Sequence, residues 1–241
     1  MNIKAIICDI EGTTTSISFV KDTLFKYAYF NCEKFINDNF KEQEIQSIVE
    51  NLCVEARNDK NEIAESDNVN EYAHNIARYV QQLIDQDRKV SSLKLLQGKI
   101  WKYAFESKLV TGHLFEDVLR NFQKWTANGI KIYIYSSGSV EAQKLLFKYS
   151  ISGDLSAYIT DYFDTNVGHK QEPKSYENIL NQISFEGKHV LFLSDIPNEL
   201  FAADHAGIQT LLLRRPNNYE ISEDDKSRLS IVDNFDEIKL K

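Results

Sequence analysis

The chain reads Ile6-Ile7-Cys8-Asp9-Ile10-Glu11-Gly12-Thr13-Thr14 near its start, and this stretch decides its fold. An apolar run, typical of a buried strand, ends at Asp9, and Glu11 follows before a turn of small residues. In open α/β sheets, ligands bind outside the carboxyl ends of the strands, so this strand would deliver Asp9 to a binding site. Asp9 and Glu11 can face one site as a nucleophile and a general acid/base that share a metal cation with a phosphate. The alternative, a buried strand that meets an acidic surface loop, stays open on this stretch alone.

Strand and helix patterns alternate after residue 130. The strand patterns are short, apolar and rich in β-branched or aromatic residues: Lys131–Tyr135, His189–Leu193 and Gln209–Leu213. The helical patterns between them begin after a capping serine or at a proline: Val140–Lys148 after Ser139, Pro173–Ile183, and Pro197–Ala206, which stops at Gly207. Alternating strands and helices predict an α/β fold with a mostly parallel sheet.

Residues 17–112 show helical spacing with no convincing strand: Val20–Phe40, Glu42–Arg57, Val69–Arg88 and Ser91–Glu106. We therefore predict a core domain made of residues 1–16 and 113–241, with a helical cap domain, residues 17–112, inserted after the first strand. The alternative is that these helices simply cover the sheet. The C-terminal segment 222–241 is expected to be a surface helix and a tail on the sheet edge.

Composition excludes several functional classes. The chain has 241 residues, of which 42% are hydrophobic and 27% charged, with a net charge of −8 and no dense Lys/Arg cluster, so nucleic acid is not an expected partner. No apolar run reaches the roughly 18 residues that span a bilayer, and no secretory signal is expected. The three cysteines lack metal-ligand spacing, which favours a reducing, cytoplasmic setting. A monomer is expected. A small anionic substrate would need local cations.

Two further strand ends carry polar residues that suit phosphate and metal. Ser136 and Ser137 follow one strand and precede a helix, where hydroxyl and backbone N–H donors can hold phosphate oxygens; the alternative is a simple helix cap. Asp195 follows another strand, and Glu199 lies on the next helix. Carboxylates at a strand end suit Mg²⁺, although Asp195 could equally cap the helix.

A lysine is the remaining part of the predicted site. Lys170, in the polar segment before Pro173, could offset the charge of a phosphate and of the carboxylates near the nucleophile. Most lysines on polar loops are simply solvated. Lys174 competes with Lys170 for this role, but it would lie in the first turn of a helix, where a cation is unfavourable.

The order of these motifs, Asp-x-Glu, Ser, Lys and Asp, resembles that of the haloacid dehalogenase-like superfamily of phosphotransferases, and the resemblance covers nearly the whole chain. It implies a Rossmann-like core with an inserted cap, one Mg²⁺ per subunit and an aspartyl-phosphate intermediate. The position two residues after the nucleophile is usually Asp in that superfamily, and here it is Glu11.

Three longer strings are similar to one subfamily, the enolase-phosphatases (acireductone synthases) of methionine salvage. They are Asp9–Thr15 with Ile17–Asp22, Tyr133–Gln143, and Phe163–Thr165 with Gly168–Lys170. The subfamily acts on a small phosphate ester, 2,3-diketo-5-methylthiopentyl 1-phosphate, which it enolises and dephosphorylates to the acireductone 1,2-dihydroxy-3-keto-5-methylthiopentene.

The resemblance also implies roles for individual residues. Asp9 would be the nucleophile and Glu11 the acid/base, while Lys170 is preferred over Lys174 because of the family's Lys-x-x-Pro-x-x-Tyr spacing. Three residues would hold Mg²⁺: Asp9, Glu11 through its backbone carbonyl, and Asp195. Two residues would join Lys170 in binding the phosphoryl group: Ser136 and Ser137. Glu199 would orient a water or Lys170.

Other functions stay open at this stage. A general small-metabolite phosphatase or a sugar phosphomutase could use the same scaffold. A dehalogenase is disfavoured because it needs no Mg²⁺, which would leave Glu11 and Asp195 without a purpose. A binding module without chemistry is disfavoured because all the motif residues are present.

Overall fold

The computed structural model describes residues 2–240 of the chain. These residues form two compact units, one made of 2–20 and 111–240 and the other of Lys21–Val110. The predicted core domain begins at residue 1, and the predicted C-terminal tail ends at residue 241. Both residues lie outside the described ones. The assignment of the two units as catalytic core and cap stays a prediction.

Among the described residues, the first unit contains a six-stranded sheet in the order β3-β2-β1-β4-β5-β6. Its strands are β1 (Ala5–Cys8), β2 (Lys131–Tyr135), β3 (Asp161–Phe163), β4 (Val190–Ser194), β5 (Gln209–Leu213) and β6 (Ile231–Val232). Every neighbouring pair is parallel. The predicted Rossmann-like α/β fold is therefore confirmed.

The central strand explains why the opening stretch is so apolar. All residues of β1 are buried, because helices cover both faces of a parallel sheet. Ile6 and Cys8 pack into one core with Phe122, whereas Ala5 and Ile7 pack into the other. Cys8 pairs with Ile134 of β2 and Leu193 of β4, so the residues that follow these three strands meet at one edge of the sheet.

The helices of the described residues are α1 (Ile17–Phe19), α2 (Lys26–Asn39), α3 (Gln43–Asn58), α4 (Val69–Asp85), α5 (Ser91–Glu106), α6 (Glu116–Ala127), α7 (Val140–Lys148), α8 (Pro173–Ile183), α9 (Pro197–His205) and α10 (Glu223–Arg228). Helices α5, α7 and α8 have the predicted bounds. The predicted helix Val20–Phe40 divides into a π-helical segment, Val20–Phe25, and α2.

Two strands, β3 and β6, and two helices, the three-residue α1 and α6, were not predicted. Strands β3 and β6 have three and two residues, too few for a periodic pattern to stand out. Helix α6 buries Val118, Phe122 and Trp125 on one stripe. At the C-terminus, α10 is followed by β6, which pairs with β5 at the edge of the sheet.

The second unit consists of helices α2 to α5 around a core of its own. Helix α4 buries an apolar face that includes Ile76, Tyr79, Val80 and Leu83, which recur at helical spacing. No helix among residues 2–240 has the length and apolar character that crossing a membrane requires.

Candidate active site

Asp9, Lys170, Asp195 and Glu199 form a buried group at the carboxyl edge of the sheet, here called the site cluster. Lys170 Nζ lies 2.6 Å from Asp9 Oδ1 and 2.7 Å from Glu199 Oε2. The Asp9 N–H donates to the carbonyl of Leu193 at 2.9 Å, which holds Asp9 against β4. The ammonium group of Lys170 thus joins Asp9 at the end of β1 with Glu199 on α9.

Hydrogen bonds fix the segment that carries Lys170. The Tyr176 hydroxyl donates to the Lys170 carbonyl at 2.7 Å, and the Tyr135 hydroxyl donates to the Gly168 carbonyl at 2.9 Å. Gly168 has a φ of +135°, and a Cβ there would lie 2.2 Å from Ser175 Oγ, so a glycine is required. Side chains of β2 and α8 therefore aim Lys170 inward.

Lys174, the competing lysine, lies elsewhere. Its Nζ is 2.9 Å from Glu177 Oε2 on the same helix, and its side chain is 71% exposed. The side chain of Lys170 is only 8% exposed. The geometry places Lys170, and not Lys174, beside Asp9.

Asp195, the fourth member of the site cluster, directly follows β4. It is buried, and its Oδ1 lacks a hydrogen-bond partner among the described residues. Gly12 has a φ of +72°, and a Cβ on it would lie 2.2 Å from Asp195 Oδ2. The turn after Asp9 therefore packs its backbone directly against this carboxylate, with no room for a side chain.

The electrostatics of the site cluster are unbalanced. Burial raises the pKa of Asp9 well above its ordinary value, Lys170 opposes this, and Glu199 and Asp195 add to it. Burial, followed by Glu199, raises the pKa of Asp195 to about 7, and Glu11 contributes in the same direction. Burial alone would lower the pKa of Lys170, but Asp9 and Glu199 together raise it. Three carboxylates therefore share one lysine.

This imbalance suits a divalent cation. Residues 2–240 hold no group of three His, Cys, Asp or Glu side chains arranged for a metal. Mg²⁺ does not require such a group, because it is commonly bound by one or two carboxylates, water and substrate phosphate. The buried Asp195 Oδ1 without a partner, the excess negative charge and the hard oxygen donors fit Mg²⁺.

Ser136 and Ser137 follow β2, the neighbour of β1. Ser136 is buried, and its N–H donates to the Phe163 carbonyl at 3.1 Å. Ser139 is the helix cap, since its Oγ accepts the Ala142 N–H at 3.3 Å. Ser139, and not Ser136 or Ser137, therefore caps the helix, while the Ser136 Oγ accepts the Gly138 N–H at 3.4 Å.

Sequence reasoning did not identify three residues that support these loops. Gln143 is buried, and its Nε2 donates to the carbonyls of Gly138 and Phe163 at 2.8 and 2.9 Å. Arg215 and Asn218 follow β5 and donate to the turn after Asp9. The signal that could have revealed the last two is a polar Arg-Pro-Asn-Asn stretch at a strand's carboxyl end.

Comparisons with known proteins show the family to which the chain belongs. Residues 3–207 match the family model of the haloacid dehalogenase-like hydrolases. Enolase-phosphatase E1 of Drosophila simulans is 46% identical over 96% of this chain and 91% of its own length. Enolase-phosphatase E1 of Anopheles gambiae is 42% identical over 100% of this chain and 83% of its own.

Solved structures share the architecture. The UTR4 protein of Saccharomyces cerevisiae has a TM-score of 0.80 and 33% identity, covering 98% of this chain and 100% of its own. CbbY of Rhodobacter sphaeroides, solved in complex with phosphate, has a TM-score of 0.61 and 16% identity, covering 98% and 96%. At that identity, the second likeness concerns the fold alone.

Proposed function

The chain belongs to the enolase-phosphatase family of the haloacid dehalogenase-like hydrolases, and on this premise we propose that it is a Mg²⁺-dependent enzyme acting on 2,3-diketo-5-methylthiopentyl 1-phosphate. The observation that supports the proposal is the buried contact of 2.6 Å between Lys170 and Asp9, beside Asp195 and Glu199. A carboxylate held at a strand end by a lysine is suited to attack phosphorus, since the lysine offsets the charge that the phosphate brings.

In the first step of dephosphorylation, which follows enolisation, a carboxylate oxygen of Asp9 attacks phosphorus and the ester P–O bond breaks. Glu11 gives its proton to the leaving enol oxygen, so the enol departs neutral and Asp9 carries the phosphoryl group. Lys170 holds Asp9 in place, and Ser136 and Ser137 donate to the phosphoryl oxygens. Positioning and charge stabilisation supply most of the catalysis in such reactions.

In the second step, Glu11, now a carboxylate, takes a proton from water, and the water oxygen attacks phosphorus. The bond between phosphorus and the Asp9 oxygen breaks, which releases phosphate and restores both carboxyl groups. Mg²⁺, held by Asp9, Asp195 and the Glu11 carbonyl, would offset phosphate charge and acidify the carbon that loses its proton during enolisation. We assign no base to that enolisation step.

Anaerobic turnover of the diketo phosphate with Mg²⁺ tests this function. We expect absorbance of the acireductone together with release of inorganic phosphate. Phosphate release without that absorbance would indicate a general small-metabolite phosphatase. Transfer of phosphate back to a sugar in a substrate panel would indicate a phosphomutase.

We also propose that the enzyme is a cytoplasmic monomer whose partner is its small phosphate substrate, with no nucleic-acid or membrane partner. The net charge of −8 supports the exclusion of nucleic acid. Light scattering of the purified protein at micromolar concentration tests the oligomeric state, and a mass of two chains would contradict it.

A further inference from the structure

Arg215 is a buried cation that the proposed chemistry leaves unused. It follows β5, and its side chain is 3% exposed. Nη1 donates to Asp117 Oδ1 at 2.9 Å, and Nη2 lies 2.8 Å from Asp117 Oδ2. The guanidinium carbon lies 4.4 Å and 4.8 Å from the ring centroids of Phe115 and Phe235. We call Arg215 and Asp117 the anchor pair.

A further guanidinium donor of the anchor pair, Nε of Arg215, reaches the turn after the nucleophile. Arg215 Nε donates to the Thr13 carbonyl at 3.0 Å, and Asn218 Nδ2 donates to the preceding carbonyl, that of Gly12, at 2.9 Å. Two consecutive carbonyls of one turn are thus held by two side chains from the loop that follows β5. The fixed, planar geometry of a guanidinium makes it a rigid anchor.

Contacts within this turn connect those two carbonyls to the reacting groups. The N–H groups of Thr13, Thr14 and Thr15 point to the Ile10 carbonyl at 3.2, 3.0 and 2.9 Å. The Thr14 hydroxyl donates to the Asp9 carbonyl at 3.2 Å. Glu11 lies between Ile10 and Gly12, so any shift of the turn moves its backbone.

We propose that Arg215 and Asn218 are positioning residues that set the place of the Glu11 carboxyl group relative to Asp9. Because Glu11 is longer by one methylene than the Asp usual in the superfamily, its backbone must be held where the longer side chain reaches the leaving oxygen. This inference rests on the proposed function, in which Glu11 protonates the leaving group.

Rates on two esters with different leaving groups distinguish a positioning effect from a general loss of stability. A simple alkyl ester that cannot enolise, pentyl phosphate, needs a proton on its leaving oxygen, whereas p-nitrophenyl phosphate has a stable leaving anion and needs little help. A loss of folded enzyme lowers both rates by the same factor. Misplacement of Glu11 lowers mainly the rate of the alkyl ester, because general acid catalysis typically contributes about 10²–10⁴-fold.

The variants are Asn218→Ala and Arg215→Lys, with Glu11→Gln as reference and Arg214→Lys as matched control. Arg214 is the neighbouring arginine, 57% exposed and paired with Asp233 at 2.6 Å. Asn218→Ala removes one partly buried hydrogen-bond donor and should still fold, which keeps the test valid if Arg215→Lys does not.

For phosphate release from pentyl phosphate, we expect kcat to fall about 10- to 100-fold in Asn218→Ala and at least as much in Arg215→Lys, below the full general-acid effect. For p-nitrophenyl phosphate, kcat should change less than about 3-fold, and Arg214→Lys should behave as wild type on both esters.

Equal losses on the two esters in Asn218→Ala, or no loss, would overturn the positioning role, provided that Glu11→Gln shows the leaving-group dependence. If Glu11→Gln itself loses both rates equally, the assignment of Glu11 as general acid fails instead. The two failures are therefore distinguishable.

Discussion

The site cluster and the anchor pair are two buried ionic groups of the same unit, and they differ in charge balance. The anchor pair matches one arginine with one aspartate, whose Oδ2 also accepts the Phe235 N–H at 2.6 Å. The site cluster matches one lysine with three carboxylates, two of which have raised pKa values. A balanced pair can satisfy itself, but an unbalanced one requires a proton, a cation or a ligand.

This difference shows how a buried ionic group that takes part in a reaction can be distinguished from one that only supports the fold. Both groups are almost fully buried, so burial alone does not identify the reactive one. Carboxylates crowded beyond what their cation can neutralise destabilise the ligand-free protein, and perturbed pKa values of this kind concentrate at functional sites. The predictions below test whether the site cluster behaves as a reactive group and the anchor pair as a supporting one.

The largest effect should follow from Asp9→Asn. Without a nucleophile, phosphatase activity should fall by about 10⁴-fold or more, because the replaced amide cannot form the phosphoryl ester. Steady-state phosphate release measures it. Asp204→Asn, at an exposed position of α9, is the control and should leave activity unchanged. Retained turnover in Asp9→Asn would mean that another residue is the nucleophile.

Lys170→Met should be destabilising as well as inactivating. Removal of one partner from a buried ion pair costs about 3–5 kcal/mol, because carboxylates are left uncompensated. Urea unfolding at pH 7 measures the free energy. Lys174→Met is the matched control: its side chain is 71% exposed, so a change below about 0.5 kcal/mol is expected. Similar losses in both variants would contradict the burial-based difference between the two lysines.

A third effect concerns pH in the absence of divalent cations. The pKa of Asp195 is about 7 in the folded protein, raised by burial and then by Glu199 from 3.8. The folded state keeps a proton that the unfolded state loses near pH 4, so this stabilising contribution is present below that pH and is lost as pH rises through about 7.

In EDTA, we therefore expect the free energy of unfolding attributable to Asp195 to fall by about 2–3 kcal/mol between pH 5 and pH 8. Urea titrations of wild type and Asp195→Asn at both pH values measure it by difference. Added Mg²⁺ should restore more stability at pH 8 than at pH 5. The same pH dependence in Asp195→Asn would refute the assignment.

The smallest effect is a coupling energy in the anchor pair. In a cycle of Arg215→Met, Asp117→Asn and the double variant, the second substitution removes the charge that the first left unpaired. We expect the double variant to lose about 1–3 kcal/mol less free energy of unfolding than the two single variants lose together. Additive losses would mean that the two residues act independently, and the contrast with the site cluster would disappear.

Much of the fold could be predicted because its signals are local. Apolar runs located β1, β2, β4 and β5, and a proline or capping serine located the starts of α7, α8 and α9. Strands β3 and β6 were missed because two or three residues form no period and their pairing partners lie elsewhere in the chain. Helix α2 was predicted to begin at Val20, where the chain forms a π-helical segment instead.

The candidate site was predictable only in part. Residues at the carboxyl ends of adjacent parallel strands must come together, which is why Asp9, Ser136 and Asp195 could be named in advance. The preference for Lys170 over Lys174 rested on the resemblance and on the unfavourable position of a cation in the first turn of a helix. Arg215 escaped notice because its partner Asp117 lies 98 residues away, at the start of a helix that was not predicted.

The sequence by itself determined which residues end the strands, since apolar runs and small-residue turns are local patterns of neighbouring residues. Only the tertiary structure decided how charges are shared: that Lys170 meets both Asp9 and Glu199, and that Arg215 pairs with Asp117 and holds the turn of Thr13. The physical reason is that burial and charge pairing depend on which loops converge at the sheet edge. That convergence follows from packing over the whole unit.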